Sequence, residues 1–255
     1  MILNKKFIVC GGNKGGVGKS FIATAVASLL LKDNNAITLI EADPTNPDIA
    51  RRFSNHAAVI LADISDRDGW ISLLDELESI ETDYIIMSLP AGMNALDNIY
   101  SLLKRTLESL KIDLNFIFCL SRQVDSIELI EKSMDSGLAS FALNNIAIQN
   151  GFFGENEKFD RWRESKLRKK WLEKGFEESF LPELNHRLVD FLEANPMPLH
   201  LLPETKKLST ALRLDLDDWL NIAKICFASM ISDPLGNEQF TDISELNNYS
   251  QELTE

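Results

Sequence analysis

The run Asn13-Lys14-Gly15-Gly16-Val17-Gly18-Lys19-Ser20 constrains this chain more than any other stretch. It follows residues 6–10, a short apolar run read as a strand. It precedes residues 21–32, apolar on nearly every side and read as a helix buried against a sheet. Strand, glycine loop and helix in that order open an α/β unit, a mostly parallel twisted sheet covered by helices on both faces. Glycines let the backbone wrap round an anion, so that successive N–H groups and the helix N-terminus converge on phosphates. Lys19 is then placed to reach the β- and γ-phosphates, and the Ser20 hydroxyl to ligate Mg²⁺. A glycine turn that binds nothing is the plain alternative; lysine, hydroxyl and helix in register argue against it.

The remaining pattern extends the same architecture. Apolar runs at residues 36–41, 57–61, 84–88, 114–120, 145–149 and 198–202 read as further strands. Ile127, Ile130, Met134, Leu138 and Phe141 recur at helical steps, as do Leu216, Leu220, Ala223, Phe227 and Met230. Residues 152–195 lack strand character and read as a helical insertion, its second helix starting at Pro182. The spacing therefore gives one domain over residues 1–231. A tail of residues 232–255, with six acidic side chains and no Lys or Arg, is expected to be mobile and solvated.

With Lys14 ahead of Gly15-Gly16, and Asn13 where the ordinary phosphate loop has its first glycine, the run resembles the ParA/MinD family of deviant Walker A ATPases, whose hallmark is K-G-G-x-G-K-[ST]. The resemblance implies a P-loop NTPase fold, ATP with Mg²⁺, and a homodimer in which Lys14 crosses to the partner's nucleotide. It implies that Asn13 through Phe21 bind the nucleotide, that Asn150 contacts adenine, and that Pro203 borders the base. Glu41-Ala42-Asp43-Pro44 is similar to the family's D-x-D-P turn, with Glu41 at the first aspartate. The resemblance gives Asp43 the attacking water and part of the Mg²⁺ environment beside Ser20, and makes Lys14, Lys19 and Asp43 the catalytic set. Asp83 through Gly92 is similar to D-Y-x-x-x-D-[TS]-P-P-G, but Ser88 stands at the Walker B aspartate. A hydroxyl can hydrogen-bond a metal-bound water yet brings no negative charge, so Mg²⁺ binding should weaken and hydrolysis be slow or partner-stimulated. The likeness covers residues 5–150 and 196–231.

Charge limits the partners. A formal net charge of −13 argues against a surface that coats nucleic acid or anionic lipid. One local exception is Arg161, Arg163, Lys166, Arg168, Lys169, Lys170 and Lys174, interleaved with Phe159, Trp162, Leu167 and Trp171 in one helix. It reads either as a DNA contact over residues 161–174 or as a solvated face with pairs such as Glu164 and Arg168. Nine basic and ten acidic residues in 151–195 favour the second. The acidic tail makes membrane anchoring unexpected. Cys10, Cys119 and Cys226 are scattered in apolar runs and read as buried reduced thiols; the three His form no metal cage. With no signal-peptide core and no apolar run long enough to span a bilayer, a cytoplasmic location is expected.

These readings converge on a dimerising ATP switch for plasmid or cargo partition, positioning or conjugal transfer, working with an unidentified protein partner or adaptor. Phe21-Ile22-Ala23 after the loop is also similar to conjugal-transfer relatives of the TraL type. The alternative, motivated by Ser88, is a nucleotide-binding scaffold with little turnover.

Overall fold

A computed structural model describes residues 4–12, 14–43, 46–92 and 97–232; Asn13, Pro44 and the tail from residue 233 lie outside the described residues. Seven strands form one sheet: β1 (Lys5–Gly11), β2 (Ile37–Glu41), β3 (Ala58–Leu61), β4 (Tyr84–Ser88), β5 (Ile112–Leu120), β6 (Asn144–Asn150) and β7 (Glu177–Leu181). The order is β3-β2-β4-β1-β5-β6-β7, and every pair is parallel. Parallel strands need crossovers, which are α1 (Lys19–Lys32), α2 (Asp48–Phe53), α3 (Arg67–Ser79), α4 (Asp97–Leu110) and α5 (Val124–Asp135). Then come α6 (Asp160–Arg163), α7 (Lys166–Glu173), α8 (His186–Ala194), α9 (Thr210–Cys226) and α10 (Ala228–Ile231).

Strand alternation divides the core in two. Ile8 and Cys10 of β1 face one layer, with α1, α2, α8 and α9; Phe7 and Val9 face the other, with α3, α4, α5 and the Trp162–Trp171 region. Helix α1 has no acidic residue in its first turn and ten buried side chains, as its nearly uniform apolar sequence requires. The chain leaves β1 through α1 on one face and β4 through α4 on the other. Adjacent strands whose connections depart to opposite faces open a crevice at their carboxyl ends, so β1 and β4 frame the site.

Five expectations are corrected. Residues 152–195 are not wholly helical: Glu177–Leu181 is edge strand β7, paired with β6 from Ile146↔Glu177 to Asn150↔Leu181. Its polar sequence hides it, because edge strands carry charge, here engaged by Trp162 and Arg168. Helix α8 begins at His186, not Pro182, because the Asn185 side chain accepts from Arg187 N. Residues 198–202 are no strand but the start of a 3₁₀ segment, Leu199–Glu204. Its Leu199 and Leu202, three apart and fully buried, pack against α1, and Leu199 N donates to Ser28 Oγ at 2.9 Å. Finally, residues 161–174 form two helices, α6 and α7, separated where Ser165 caps α7. The periodic pattern over 127–141 likewise breaks after Asp135, where Gly137 lies so close to Ser133 that a Cβ would come within 2.8 Å of its Cα.

Candidate nucleotide-binding site

The β1–α1 loop bends through Gly16 at φ 77° and Gly18 at φ 93°, left-handed conformations that a side chain strains. Gly18 has a second constraint: a Cβ there would lie 2.2 Å from Asn150 Nδ2. That amide, buried at the end of β6, donates to Val17 O at 3.0 Å, while its Oδ1 accepts from Phe152 N at 3.1 Å. Asn150 thus braces the loop from below, while nothing lies within 4 Å of a Cβ built on Gly16. Gly18 supplies no side-chain cap to α1, leaving its first turn to an incoming acceptor.

Lys19 starts α1 and is 7% exposed; its Nζ donates to Lys14 O at 3.0 Å. Burial pushes the lysine below its ordinary range, and the Asp43 carboxylate pulls it back. The two thiols lie beneath the loop. Burial drives Cys119 up to about 12 and Cys10 well above its usual value, each countered by Lys19, so both stay protonated. All three cysteines are free and buried.

Ser20 follows Lys19, and its Oγ lies 3.2 Å from Ser88 Oγ at the end of β4. Ser88 is in register with Cys10 of β1 and Glu41 of β2, which places the three side chains on the α1 face of the sheet. Glu41 is 2% exposed and turned away from the loop: Oε1 accepts from Asp43 N at 3.3 Å and Oε2 from Ile49 N at 2.9 Å. It plugs the first turn of α2 and ties down the turn that carries Asp43. Asp43 Oδ1 accepts from Asn46 N at 3.2 Å, and the carboxylate is near enough to stabilise charged Lys19.

The structure brings Lys14, Gly15, Gly16, Val17, Gly18, Lys19, Ser20, Asp43 and Asn150 into one neighbourhood at the carboxyl ends of β1, β2, β4 and β6. Three residues of the expected set are held by other parts of the fold, Asn150 among them, its amide bonded to Val17 O and Phe152 N instead of standing free for a base. The Phe21 ring packs edge-on against Trp219 at 5.7 Å. Pro203 sits inside the 3₁₀ segment rather than at a strand end. Glu41's capping part has no short sequence signal, since its partner Ile49 is eight residues on, across a folded-back turn. Among the described residues no group of three or more His, Cys, Asp and Glu side chains is arranged to hold a metal.

The basic stretch is engaged within the fold. Phe159, Trp162 and Trp171 are buried, and the indoles donate to Glu178 Oε2 and Glu177 O. Arg168 reaches Glu178 on β7, at 2.9 Å to both oxygens, rather than Glu164. Lys170 pairs with Glu131, Arg163 with Asp160, and Arg161 donates to Arg122 O. No helix of the described residues is long and apolar enough to cross a membrane.

A glycine loop, buried lysine and hydroxyl at the switch point of an all-parallel sheet define a P-loop nucleotide-binding protein. The chain belongs to the CbiA family, the CobQ/CobB/MinD/ParA nucleotide binding domain, which it matches over residues 8–213. It is 31% identical over 224 residues to Protein MobD of Acidithiobacillus ferrooxidans, covering 86% of this chain and 95% of that one. It shares its fold with the MinD cell division protein of Aquifex aeolicus, at 18% identity and TM-score 0.50 over 91% of this chain and 100% of that one. The MinC:MinD cell division protein complex of the same organism gives 19% identity and TM-score 0.50, covering 91% and 98%.

Proposed function

We propose that this chain is an ATP-gated dimerising switch that acts in plasmid or cargo partition, positioning or conjugal transfer. The observation that carries this is the loop itself, with its left-handed glycines, uncapped helix start, Lys19 at its foot and Lys14 behind Gly15-Gly16. These groups fit a triphosphate: an anion stabilises the charge on Lys19 that burial disfavours, and uncapped N–H groups gain acceptors. Mg²⁺ would be held by Ser20, with Asp43 acting through water, and when bound would neutralise charge on the phosphates. Asp43, fixed by Glu41 and Asn46, orients the attacking water. Lys14 contributes from across a two-fold interface, so dimer formation completes each site. The similarity to Protein MobD along nearly its whole length supports a protein of the same build, and a protein adaptor or cargo is the partner proposed for the dimer.

Sedimentation velocity of the wild type and Lys14→Ala, without nucleotide, with ADP and with ATP, tests the switch. The wild type should form an additional dimer only with ATP, and Lys14→Ala should not. ATP-independent sedimentation in both would remove the proposal.

The Ser20–Ser88 pair supports a second reading, a nucleotide-binding scaffold with little turnover, because a hydroxyl occupies the end of β4. Steady-state ATPase assays of wild type, Lys19→Ala and Asp43→Ala separate the two. Robust turnover lost in both variants excludes the scaffold.

A further inference from the structure

The two edges of the sheet are built differently. On β7, Glu177 and Glu178 line the strand, and Trp171, Trp162 and Arg168 bond to them. On β3 the sequence is Ala58-Val59-Ile60-Leu61, with no charge, proline or glycine, and Leu61 is 67% exposed. β3 pairs with β2 alone among the described strands. Charges and prolines are the usual protection of an edge against pairing with another chain, and β3 has none.

Its free hydrogen-bonding groups can be assigned. Ala62 N donates to Glu41 O at 2.9 Å, and Ile60 is in register with Ile40. Peptide groups alternate along a strand, so those of Ala58, Ile60 and Ala62 face β2, and those of Val59 and Leu61 point outward. The flanks have opposite signs. Arg51, paired with Asp48, Arg52, paired with Glu193, and His56 precede the strand; Asp63, Asp66 and Asp68, with one Arg67, follow it. A parallel neighbour of the same sequence would set like charges together. An antiparallel copy sets the basic flank of one against the acidic flank of the other.

We propose that β3 pairs with β3 of a second copy, antiparallel, to make one continuous sheet across a two-fold axis at Ile60. This register sets Val59 of each copy opposite Leu61 of the other, so the outward N–H and C=O groups of both residues are satisfied. Centring on Val59 would set Leu61 opposite Ala57, whose N–H is already given to Phe53 O. The edge is separated from the phosphate loop by β2 and β4, so the association requires neither nucleotide nor Lys14.

The test uses the full chain without nucleotide, by sedimentation velocity over a concentration series reaching about 100 μM, high enough to populate a dimer of micromolar Kd. Leu61→Pro removes an outward N–H and leaves the β2–β3 bonds intact, since Leu61 gives no N–H to β2. Leu61→Lys adds an edge charge and retains every backbone group. The wild type should self-associate, both variants should do so at least tenfold more weakly, and Lys14→Ala should match the wild type. Hydrogen exchange at Val59 and Leu61 should slow as wild-type concentration rises. A wild type monomeric throughout, or variants that associate equally well, would overturn the proposal whatever ATP does to the Lys14 interface.

Discussion

Glu41 carries its carboxylate on two backbone N–H groups, those of Asp43 and Ile49, in a site where it is 2% exposed. Burial raises its pKa, and the backbone bonds only partly offset this. The folded state therefore keeps a proton that the unfolded chain has released. The stabilisation is full below the unfolded pKa and is lost as pH rises through the folded one. Urea unfolding from about pH 4 to pH 7 should show the wild type losing stability relative to Glu41→Gln as pH rises. A difference independent of pH would contradict this. Ser88 lies one strand away. Ser88→Asp should tighten Mg²⁺-dependent ATP binding by about 10- to 100-fold, the usual effect of a group supporting a metal. Fluorescent-nucleotide titration with Mg²⁺ and with EDTA checks it; an unchanged Mg²⁺ effect would show that Ser88 does not set the metal dependence.

At the scale of elements, the β1–α1 loop is held by its glycines and by Asn150, and the two glycines differ in what surrounds them. Gly16→Ala meets a positive φ but open space, and should cost about 1–2 kcal/mol. Gly18→Ala meets a positive φ and the Asn150 amide together, and should cost about 1–3 kcal/mol and more than the first. Chemical denaturation of both variants gives the order; equal losses would mean Asn150 yields freely. Sequence legibility follows the same logic. The buried strands β1, β2, β4, β5 and β6 are visible because strands covered on both faces are apolar throughout. β7 is not, because an edge strand with Glu177 and Glu178 has the composition of a loop. The 3₁₀ segment at Leu199–Glu204 mimics a strand because Leu199 and Leu202 are buried by tertiary contact with α1, not by local period. The basic run at 161–174 has helical spacing, but its Arg168 partner lies on that same hidden strand.

For the whole molecule, the sheet order decides where chemistry gathers. Connections leave β1 and β4 toward opposite faces, so Lys19 and Ser20 meet Ser88 at the crevice, while β2 and β6 deliver Asp43 and Asn150 to its sides. The loop motif made that gathering point readable from sequence, because lysine and hydroxyl must follow the glycines at fixed spacing. The inward turn of Glu41 and the bracing by Asn150 needed the fold, since both depend on segments far apart in sequence. Both the gate and the dimer rest on one central claim, that residues 14–20 hold a nucleoside triphosphate. Isothermal titration of ATP into the wild type and Lys19→Ala tests it most directly. The account predicts one ATP per wild-type chain and affinity at least 100-fold weaker, a loss of about 2.7 kcal/mol, in Lys19→Ala. Absence of binding to the wild type, or equal affinity in the variant, would contradict it.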